Sequence, residues 1–531
     1  MPIYKVNVKW QKNKYTDVEC NTDESPEVFK ASLFSLTGVP PDRQKIILPG
    51  GILGNDNYNG IQIKNGINVM LVGSVGEVPV SVAVTSEEVV LPPSESSFKL
   101  PPGIWNLGNT CYLNAVVQML YSIPEFRLVL QICHFSSTTP DSQHYVLLCE
   151  GLKYSFKLMT MSAVPLTPMF LLNVLHSVCP QFAPQARDTG KSSQNPYSRL
   201  NPNHEQQDAS ECWTELVRGL QTATIDFEIS TSIPDLPESF RTNSEWNPVD
   251  RFLTGQLLCK LSCTESEEPE LETVETFNQL SCFINQDVKY LVTGIRNGFT
   301  GNLTKHSPLL NRDAVYKRTS LISRLPAYLS IHFVRFFYKE DKQVNAKILK
   351  DVKFPLTLDM HEFCTPELQK KLLPMREKIH LLDQNELTNP SNQTKSAKLK
   401  ADAKQPDPYK NPELYEPYWF SDDPGSNNSG YYELQGVLSH QGRTSTSGHY
   451  VAWIKTQGVW LKYDDHRVSQ VTEEDILRLS GGGDWHCAYI LLYGPRCVKK
   501  ESCENTANNA EALTANGNSM NHGDHSNCQR S

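Results

Sequence analysis

The sequence lacks any run approaching the roughly 20 consecutive apolar residues needed to cross a bilayer, so no integral membrane segment is expected. Its first ten residues alternate apolar and polar side chains and lack the continuous apolar block of a signal peptide. These absences predict a cytoplasmic chain that can also be nuclear. Thiols stay reduced there, and the irregular spacing of the 14 cysteines is not that of a disulfide scaffold.

An excess of basic charge is lacking as well. With 50 Lys and Arg against 59 Asp and Glu, the formal net charge is −9, which argues against nucleic acid as the main ligand. No internal repeat stands out. The hydrophobic share of 39% is somewhat low for a compact chain, so part of the length is expected to be linker or tail. A length of 531 residues suggests roughly two to four domains.

Residues 1–74 have the pattern of a small α+β domain. Apolar and polar side chains alternate over residues 4–10, which predicts a strand. Pro26 follows a serine suited to an N-cap and starts a predicted helix, and a final strand is predicted over 67–73. This order is similar to a ubiquitin-like domain, whose fold is the β-grasp, and residues 38–50 closely resemble ubiquitin. We interpret the domain as a docking module; a module that only adds stability is the alternative.

The rest of the chain divides by composition. Residues 75–100 are rich in Val, Ser, Glu and Pro without a clear period and are expected to form a flexible linker. Helical and strand patterns alternate over 101–498, which predicts one large α+β domain with polar surface insertions at about 188–204 and 383–430. The polar residues 499–531 are expected to be a disordered tail.

The clearest motif is GIWNLGNTCYLNAVVQMLY, at residues 103–121. Apolar residues recur at i, i+3, i+4, i+7 and i+8 from Leu113, which predicts an amphipathic helix closed by Pro124. Cys111 lies at the start of that helix, where unpaired N–H groups and the helix dipole favour a thiolate. A thiolate is the nucleophile of acyl transfer, whereas the alternative is an inert core cysteine.

A second motif supplies a histidine and a carboxylate. His449 follows a Gly-containing loop and precedes an alternating strand, and WLKYDD follows about one hairpin later. A strand-borne histidine that faces a carboxylate on the next strand is held in one tautomer, as a catalytic imidazole requires. The alternative is a core histidine, with Asp464 as a turn residue.

Four segments in order resemble the ubiquitin-specific proteases. GIWNLGNTCYLNAVVQ is similar to the family's cysteine box, and GHYVAWI with WLKYDD is similar to its histidine box. QQDASECW at residues 206–213 and RLPAYLSIHFVRFFYK at 324–339 resemble two internal segments of the family. With residues 1–74, the chain most closely resembles the proteasome-associated members. The resemblance implies a papain-like catalytic domain with palm, thumb and fingers, and hydrolysis of isopeptide bonds at the ubiquitin C-terminus.

The resemblance also implies the role of each site residue. Cys111 is the nucleophile, and His449 is the general base and then the general acid. Asp464 orients His449, with Asp465 as the alternative. The side-chain amide of Asn106 belongs to the oxyanion hole, beside the Cys111 backbone N–H.

Further residues are assigned to the ubiquitin tail and to its regulation. Gln206 and Asp208 are expected to hold the tail, although helix capping is an alternative for this pair. Two stretches, 337–347 and 439–447, have the composition of mobile loops. In relatives the corresponding loops cover the tail channel until the protein docks on the proteasome; ordinary surface loops are the alternative. The regulatory residues assigned to them are Phe337, Tyr338, Ser439 and Ser447.

A zinc site is not expected, and no cofactor is implied. Many relatives carry two Cys-x-x-Cys pairs in the fingers, whereas this sequence has only Cys259, Cys263 and the more distant Cys282. Three thiolates without a fourth ligand make a poor tetrahedral site.

The resulting hypothesis is a thiol-dependent deubiquitinase that acts as a monomer. Its expected partners are ubiquitin, ubiquitin conjugates and the regulatory particle of the 26S proteasome, on which residues 1–74 dock while the enzyme trims and recycles ubiquitin. Two alternatives stay open. One is a non-catalytic ubiquitin-binding adaptor that delays degradation at the proteasome, and the other is a protease for a different ubiquitin-like modifier.

Overall fold

The computed structural model describes residues 3–10, 13–22, 26–37, 39, 44–49, 51–53, 63–73, 100–136, 140–183, 206–227, 247–339, 344–388, 412–444, 447–483 and 485–500. The chain divides into two compact units, Met1–Ser97 and Phe98–Ser531. The predicted linker lies outside the described residues apart from Leu100, and so does the insertion predicted at 188–204. Of the predicted tail, only Lys499 and Lys500 are described.

The first unit is a five-stranded sheet with one helix. Its elements are β1 (Ile3–Trp10), β2 (Asn13–Asn21), α1 (Pro26–Thr37), β3 (Lys45–Leu48), β4 (Gly51–Ile52) and β5 (Asn68–Val72). The strand order is β2-β1-β5-β3-β4, with β1 and β5 parallel and the other pairs antiparallel. Alternate strand residues such as Val8, Ile46 and Leu71 are buried with Phe29 and Leu33 of α1. The strand and helix patterns predicted for this segment are therefore confirmed.

The second unit begins with a helical layer and ends mainly in strands. Its helices are α2 (Cys111–Tyr121), α3 (Pro124–Ile132), α4 (Pro140–Met161), α5 (Met169–Val178), α6 (Ala209–Thr222), α7 (Pro248–Phe252), α8 (Leu291–Gly298), α9 (Pro366–Thr388) and α10 (Glu473–Leu477). Its strands are β6 (Cys133–Ser136), β7 (Thr224–Phe227), β8 (Gly255–Cys263), β9 (Leu271–Phe277), β10 (Leu280–Phe283), β11 (Thr300–Ser307), β12 (Arg312–Arg324), β13 (Leu329–Val334), β14 (Phe336–Lys339), β15 (Val344–Lys347), β16 (Thr357–Asp359), β17 (Tyr431–Thr444), β18 (Ser447–Thr456), β19 (Val459–Asp464), β20 (Arg467–Val471) and β21 (Cys487–Pro495). The unit is mixed α and β, as the sequence predicts.

Two sheets organise the second unit. The larger has the order β10-β13-β21-β17-β18-β19-β20, with β16 paired to β17, and the smaller has the order β11-β12-β8-β9. One apolar core lies between the helical layer and the larger sheet, and a second core lies on the side of α8 and α9. All nine residues of β21 are buried, because this strand is covered on both faces.

The helix that begins at Cys111 packs directly on the larger sheet. Ten of its eleven residues are buried, and it contacts α6, β17 and β18. Gly436 of β17 makes this approach possible, since a Cβ there would lie 2.7 Å from Met119 Sδ. The predicted helix is confirmed, although Pro124 is the first residue of α3 rather than the end of α2.

The two stretches predicted to be loops are largely strands, so that prediction is wrong as to conformation. Phe336–Lys339 and Val344–Lys347 pair antiparallel, and Lys347 is buried. In the other stretch, β17 continues through Thr444 and pairs with β18. The small polar residues suggest a loop, but backbone pairing with a central strand decides their conformation.

The insertion predicted at 383–430 is shorter and partly packed. Helix α9 extends to Thr388, residues 389–411 lie outside the described part, and 412–430 fold back onto the unit. Tyr415 is buried and bridges to Lys499, so the folded chain also reaches slightly beyond residue 498. Among the described residues, no helix is long and apolar enough to cross a membrane, and the twelve described cysteines form no disulfide bonds.

A buried arginine connects the larger sheet to neighbouring segments of the chain by hydrogen bonds. Arg335 is fully buried, and its guanidinium donates to the carbonyl oxygens of Ala488 (2.8 Å), Ile348 (3.0 Å), Lys350 (2.8 Å) and Ser480 (3.0 Å). Because Arg335→Met removes four hydrogen bonds that a buried guanidinium donates to backbone carbonyls, we expect it to lower the free energy of unfolding by about 3 kcal/mol or more. Equilibrium urea unfolding measures this loss.

A surface arginine provides the control for that experiment. Arg296 pairs with Glu362 at 2.6 Å, but both side chains are at least half exposed. Arg296→Met is therefore expected to cost less than about 1 kcal/mol. Equal losses in the two variants would contradict the role assigned to the buried guanidinium.

Candidate active site

Cys111 is the first residue of α2 and follows a tight turn. Gly108 and Asn109 have φ angles of 105° and 54°, in the left-handed region that glycine and asparagine tolerate best. The Leu107 N–H donates to Thr110 Oγ1 at 2.9 Å, which fixes the turn before the helix. The thiol is only 2% exposed and lies at the helix end where backbone N–H groups are free of intrahelical partners.

Strands β18 and β19 bring a histidine and a carboxylate to this thiol. His449 Nε2 lies 2.7 Å from Asp464 Oδ1, and the imidazole also hydrogen-bonds Cys111. The bond to Asp464 and then the bond to Cys111 raise the pKa of His449 to about 10. The bond to His449 and then the Lys462 ammonium hold the pKa of Asp464 well below its usual range. The structure thus brings together the three residues that the sequence predicts as a triad.

The second carboxylate of the Asp-Asp pair has a different partner. Asp465 accepts from Asn106 Nδ2 at 2.9 Å and from Asn114 Nδ2 at 2.8 Å. The sequence offers Asp465 only as the alternative partner of His449, whereas the structure places it on the two asparagines. Its φ of 55° turns the chain between the two carboxylates, so that they face different groups.

Asn106 is exposed and anchored at both ends of its amide. Its Oδ1 accepts from the backbone N–H groups of Gly108 (3.0 Å) and Thr110 (3.2 Å), in the turn before Cys111. Nδ2 uses one hydrogen on Asp465 and has a second one to donate. The amide therefore lies beside the nucleophile with one donor left over, as an oxyanion hole requires.

Gln206 and Asp208 differ in environment. Gln206 is buried, and its Nε2 lies 3.9 Å from Cys111 Sγ. Within the described part of the chain, its Oε1 has no hydrogen-bond partner. Asp208 caps helix α6 by accepting from the Ser210 N–H at 2.6 Å, and it also accepts from the Tyr489 hydroxyl. Asp208 thus has the capping role that the sequence leaves open, while tail binding stays a prediction for both residues.

The four residues assigned to regulation lie on strands. Phe337 and Tyr338 belong to β14, and Ser447 begins β18. Ser439 is fully buried in β17, where its hydroxyl accepts from Trp453 Nε1 at 2.8 Å and lies 3.2 Å from His486 Nδ1. Ser439 is therefore not a loop residue; a regulatory role stays a prediction for all four.

One described group of side chains has the spacing of metal ligands, namely His449, Asp464 and Asp465. The carboxylate oxygens are already used by the imidazole, the two asparagines and Lys462, whose ammonium lies 2.8 Å from Asp464 Oδ2. An ammonium at this distance supplies the positive charge that a metal ion would otherwise bring. We therefore interpret His449 and Asp464 as members of the catalytic triad, and Asp465 as the residue that holds Asn106 and Asn114.

The three cysteines considered as zinc ligands have different surroundings. Cys259 of β8 is buried against Ser320 and accepts from Arg318, whereas Cys282 of β10 is buried beside Gly294. Cys263 is partly exposed at the end of β8, where the neighbouring Ser266 and nearby backbone groups lower the pKa of its thiol. The absence of zinc stays a prediction.

Lys462 gives the triad a testable electrostatic property. Its Nζ bonds Asp464 Oδ2 and lies 5.5 Å from the centre of the Trp453 ring. Removing a positive charge raises the pKa of every acid and imidazolium nearby. Lys462→Met is therefore expected to move both limbs of the kcat/KM pH profile to higher pH, by about half a pH unit. The measurement is kcat/KM between pH 5 and pH 10.

Lys455→Met is the matched control, because Lys455 lies on the same hairpin but faces Glu473 at 4.0 Å. It is expected to leave the profile in place, and Lys462→Arg is expected to restore it. A downward shift in Lys462→Met would contradict the electrostatic account.

A cysteine at a helix N-terminus, an imidazole bonded to it and a carboxylate on that imidazole define a thiol hydrolase. The comparisons with known proteins narrow this class. Residues 102–493 match the family described as ubiquitin carboxyl-terminal hydrolase.

Whole-chain relatives agree with that match. Ubiquitin carboxyl-terminal hydrolase 14 of Caenorhabditis elegans is 39% identical over 94% of this chain and 94% of its own length. Ubiquitin carboxyl-terminal hydrolase 6 of Schizosaccharomyces pombe is 37% identical over 92% of this chain and 98% of its own. A solved chain from the SAGA Ubp8/Sgf11/Sus1/Sgf73 DUB module bound to ubiquitin aldehyde has 19% identity and a TM-score of 0.46, covering 77% of this chain and 72% of that chain.

On the family match and the two relatives, the chain belongs to the ubiquitin carboxyl-terminal hydrolase family. It is a thiol-dependent deubiquitinating protease, and the resemblance stated from the sequence motifs is confirmed.

Proposed function

We propose that Cys111 cleaves the isopeptide bond at the ubiquitin C-terminus, with His449 as proton carrier and Asp464 as its orienting partner. In the first step, the Cys111 thiol gives its proton to the His449 imidazole, and Sγ attacks the terminal glycine carbonyl carbon and forms a C–S bond. The protonated imidazole then gives its proton to the lysine nitrogen, and the C–N bond breaks to leave a thioester. In the second step, a water gives a proton to the imidazole, attacks the thioester and releases the thiol and the ubiquitin carboxylate.

The oxyanion that forms in each step needs donors beside Cys111. The second hydrogen of Asn106 Nδ2 and the backbone N–H of Cys111 are the groups we assign to it. Gln206 is assigned to the tail, because its buried Oε1 is an unused acceptor beside the nucleophile. A backbone N–H of the tail would satisfy it, since buried acceptors otherwise cost free energy.

The observation that carries this proposal is the hydrogen bonding of one imidazole to both Cys111 and Asp464. Hydrolysis of a ubiquitin C-terminal fluorophore tests it. We expect activity in the purified full chain, and its loss in Cys111→Ala with binding of ubiquitin retained. Binding without any hydrolysis in the unmodified protein would instead support the non-catalytic adaptor.

We further propose that the first unit is a ubiquitin-like β-grasp domain that docks on the 26S proteasome. The sheet face turned away from α1 carries an apolar patch of Ile47, Met70 and Val72, which are 36%, 50% and 48% exposed. Ile47 and Met70 are direct cross-strand neighbours of β3 and β5. Adjacent exposed apolar side chains on a rigid sheet suit a protein–protein contact.

The docking proposal is tested by adding proteasomes stripped of their own deubiquitinases. We expect strong stimulation of fluorophore hydrolysis, which Ile47→Asp removes without changing the basal rate. Leu36→Asp is the matched control. Leu36 is 46% exposed and lies on α1, which packs against the face of the sheet opposite to the one that carries Ile47. Stimulation that survives Ile47→Asp would exclude this face as the docking surface.

The remaining assignments complete the proposal. The helical layer, the larger sheet and the smaller sheet correspond to the thumb, palm and fingers of a papain-like fold. The hairpin β14–β15 and the end of β17 limit access to the tail channel until docking, so the free protein is expected to have low activity. The protein works as a monomer in the cytoplasm and nucleus, where its substrates are ubiquitin conjugates.

A further inference from the structure

A partly exposed aromatic pair lies beside the proposed oxyanion site. The rings of Trp105 and His466 stack with centroids 4.1 Å apart and planes at 12°. Trp105 precedes Asn106 in the chain, and His466 follows Asp465, so the stack adjoins both members of the Asn106–Asp465 bond. Trp105 remains 43% exposed, so a substantial part of this apolar side chain is open to solvent next to the reaction centre.

The backbone under this stack is held firmly. The Ile104 N–H donates to the Asp465 carbonyl at 2.9 Å, and the Trp105 N–H donates to the Leu166 carbonyl at 2.8 Å. Asn114 Nδ2 lies 3.3 Å from the Trp105 carbonyl oxygen. Gly103 lies so close to the opposite chain that a Cβ would be 2.6 Å from the Asp465 carbonyl oxygen. Because this surface is already fixed, it loses little conformational entropy when it binds a partner.

The burial of the neighbouring groups indicates which part of the substrate meets the stack. Gln206, on the buried side of Cys111, is assigned to the ubiquitin tail. Asn106 and Trp105 are on the exposed side. The leaving group of an isopeptide bond is a lysine within a polypeptide, and a polypeptide that is not threaded through a narrow channel must lie on the exposed side.

We propose that the stacked pair Trp105–His466 is the contact surface for the polypeptide that carries the ubiquitin-linked lysine. A flat indole accepts the aliphatic stem of lysine and the apolar or cationic side chains next to it, and exposed tryptophans of this kind often dominate a contact. The proposal rests on the reaction assigned to Cys111 and Asn106. It makes Trp105 a determinant of specificity on the leaving-group side.

Two substrates that differ only in the leaving group test this. One is ubiquitin joined by an isopeptide bond to the lysine of a twelve-residue peptide, and the other is ubiquitin ethyl ester, whose leaving group is ethanol. In the full chain, we expect Trp105→Ala to lower kcat/KM for the peptide conjugate by about tenfold, mainly through KM, and to leave the ester within about twofold.

The control variants separate contact from folding. Trp105→Phe keeps a flat ring and is expected to retain most of the activity on the conjugate. Tyr154→Ala removes an aromatic residue of similar exposure (51%) on α4 and is expected to change neither substrate. Equal losses on both substrates, or no loss on the conjugate, would overturn the proposal. Failure of the unmodified protein to hydrolyse the ester would refute the proposed reaction instead.

Discussion

Asp464→Asn will lower kcat for ubiquitin C-terminal hydrolysis by roughly 10³–10⁴-fold. The reason lies in the fixed positions of the two carboxylate oxygens, of which Oδ1 faces His449 and Oδ2 faces the Lys462 ammonium. An asparagine must turn its oxygen toward the ammonium, and its NH₂ group then donates to His449 Nε2. This forces the proton onto the ring nitrogen that should receive the proton of Cys111. Steady-state kinetics with a ubiquitin C-terminal fluorophore measure the loss.

Two further measurements make the Asp464 prediction specific. Asp422 is 70% exposed on its side chain, and Asp422→Asn is expected to have wild-type kinetics. The alkaline limb of the pH profile, where the raised pKa of His449 is expressed, should move to lower pH in Asp464→Asn because the anion that stabilises the imidazolium is gone. A larger loss in Asp465→Asn than in Asp464→Asn would show that the two carboxylates are assigned the wrong way round.

Asp465→Asn is expected to lower kcat by about 10²-fold, through the oxyanion site rather than through His449. Asp465 accepts amide hydrogens from both Asn106 and Asn114, whereas an asparagine offers one acceptor and turns a donor toward the other amide. Asparagine tolerates the positive φ of this position, so the backbone turn is retained. The expected signature is a fall in kcat with little change in KM.

A double-mutant cycle separates this positioning effect from a general loss. If Asp465 acts by holding Asn106, the double variant Asn106→Ala with Asp465→Asn will be about as active as Asn106→Ala alone. Multiplicative losses in the double variant would show that Asp465 acts on the reaction by a separate route.

The sequence predicts the parts of this site that depend on local pattern. Helical periodicity and the Gly-Asn-Thr turn place Cys111 at the start of α2, and the structure agrees. His449 and Asp464 are only 15 residues apart on one hairpin, so strand alternation is enough to bring them together. These features arise from backbone geometry that a few neighbouring residues determine.

The contacts that cannot be predicted from the sequence are those between segments far apart in the chain. Asn106 and Asp465 are 359 residues apart, and no local periodicity links them. The Asp-Asp pair in WLKYDD indicates that one carboxylate has another role, but nothing in the local sequence identifies the partner of that carboxylate. The prediction of a loop at Ser439 is wrong for a related reason. The small polar residues of 439–447 favour a loop. In the folded protein, however, Ser439 is buried and its hydroxyl accepts a hydrogen bond from the Trp453 indole.

The position of β21 has a consequence for biosynthesis. This strand comes last in the larger sheet along the chain, yet it pairs with β13 on one side and β17 on the other. While the chain is being synthesised, β13 and β17 therefore lack their shared neighbour until residue 495 has left the ribosome. Unpaired strand edges invite association with other chains, so the nascent catalytic unit is open to aggregation until β21 pairs. It also follows that the newborn enzyme completes its larger sheet only after β21 has emerged.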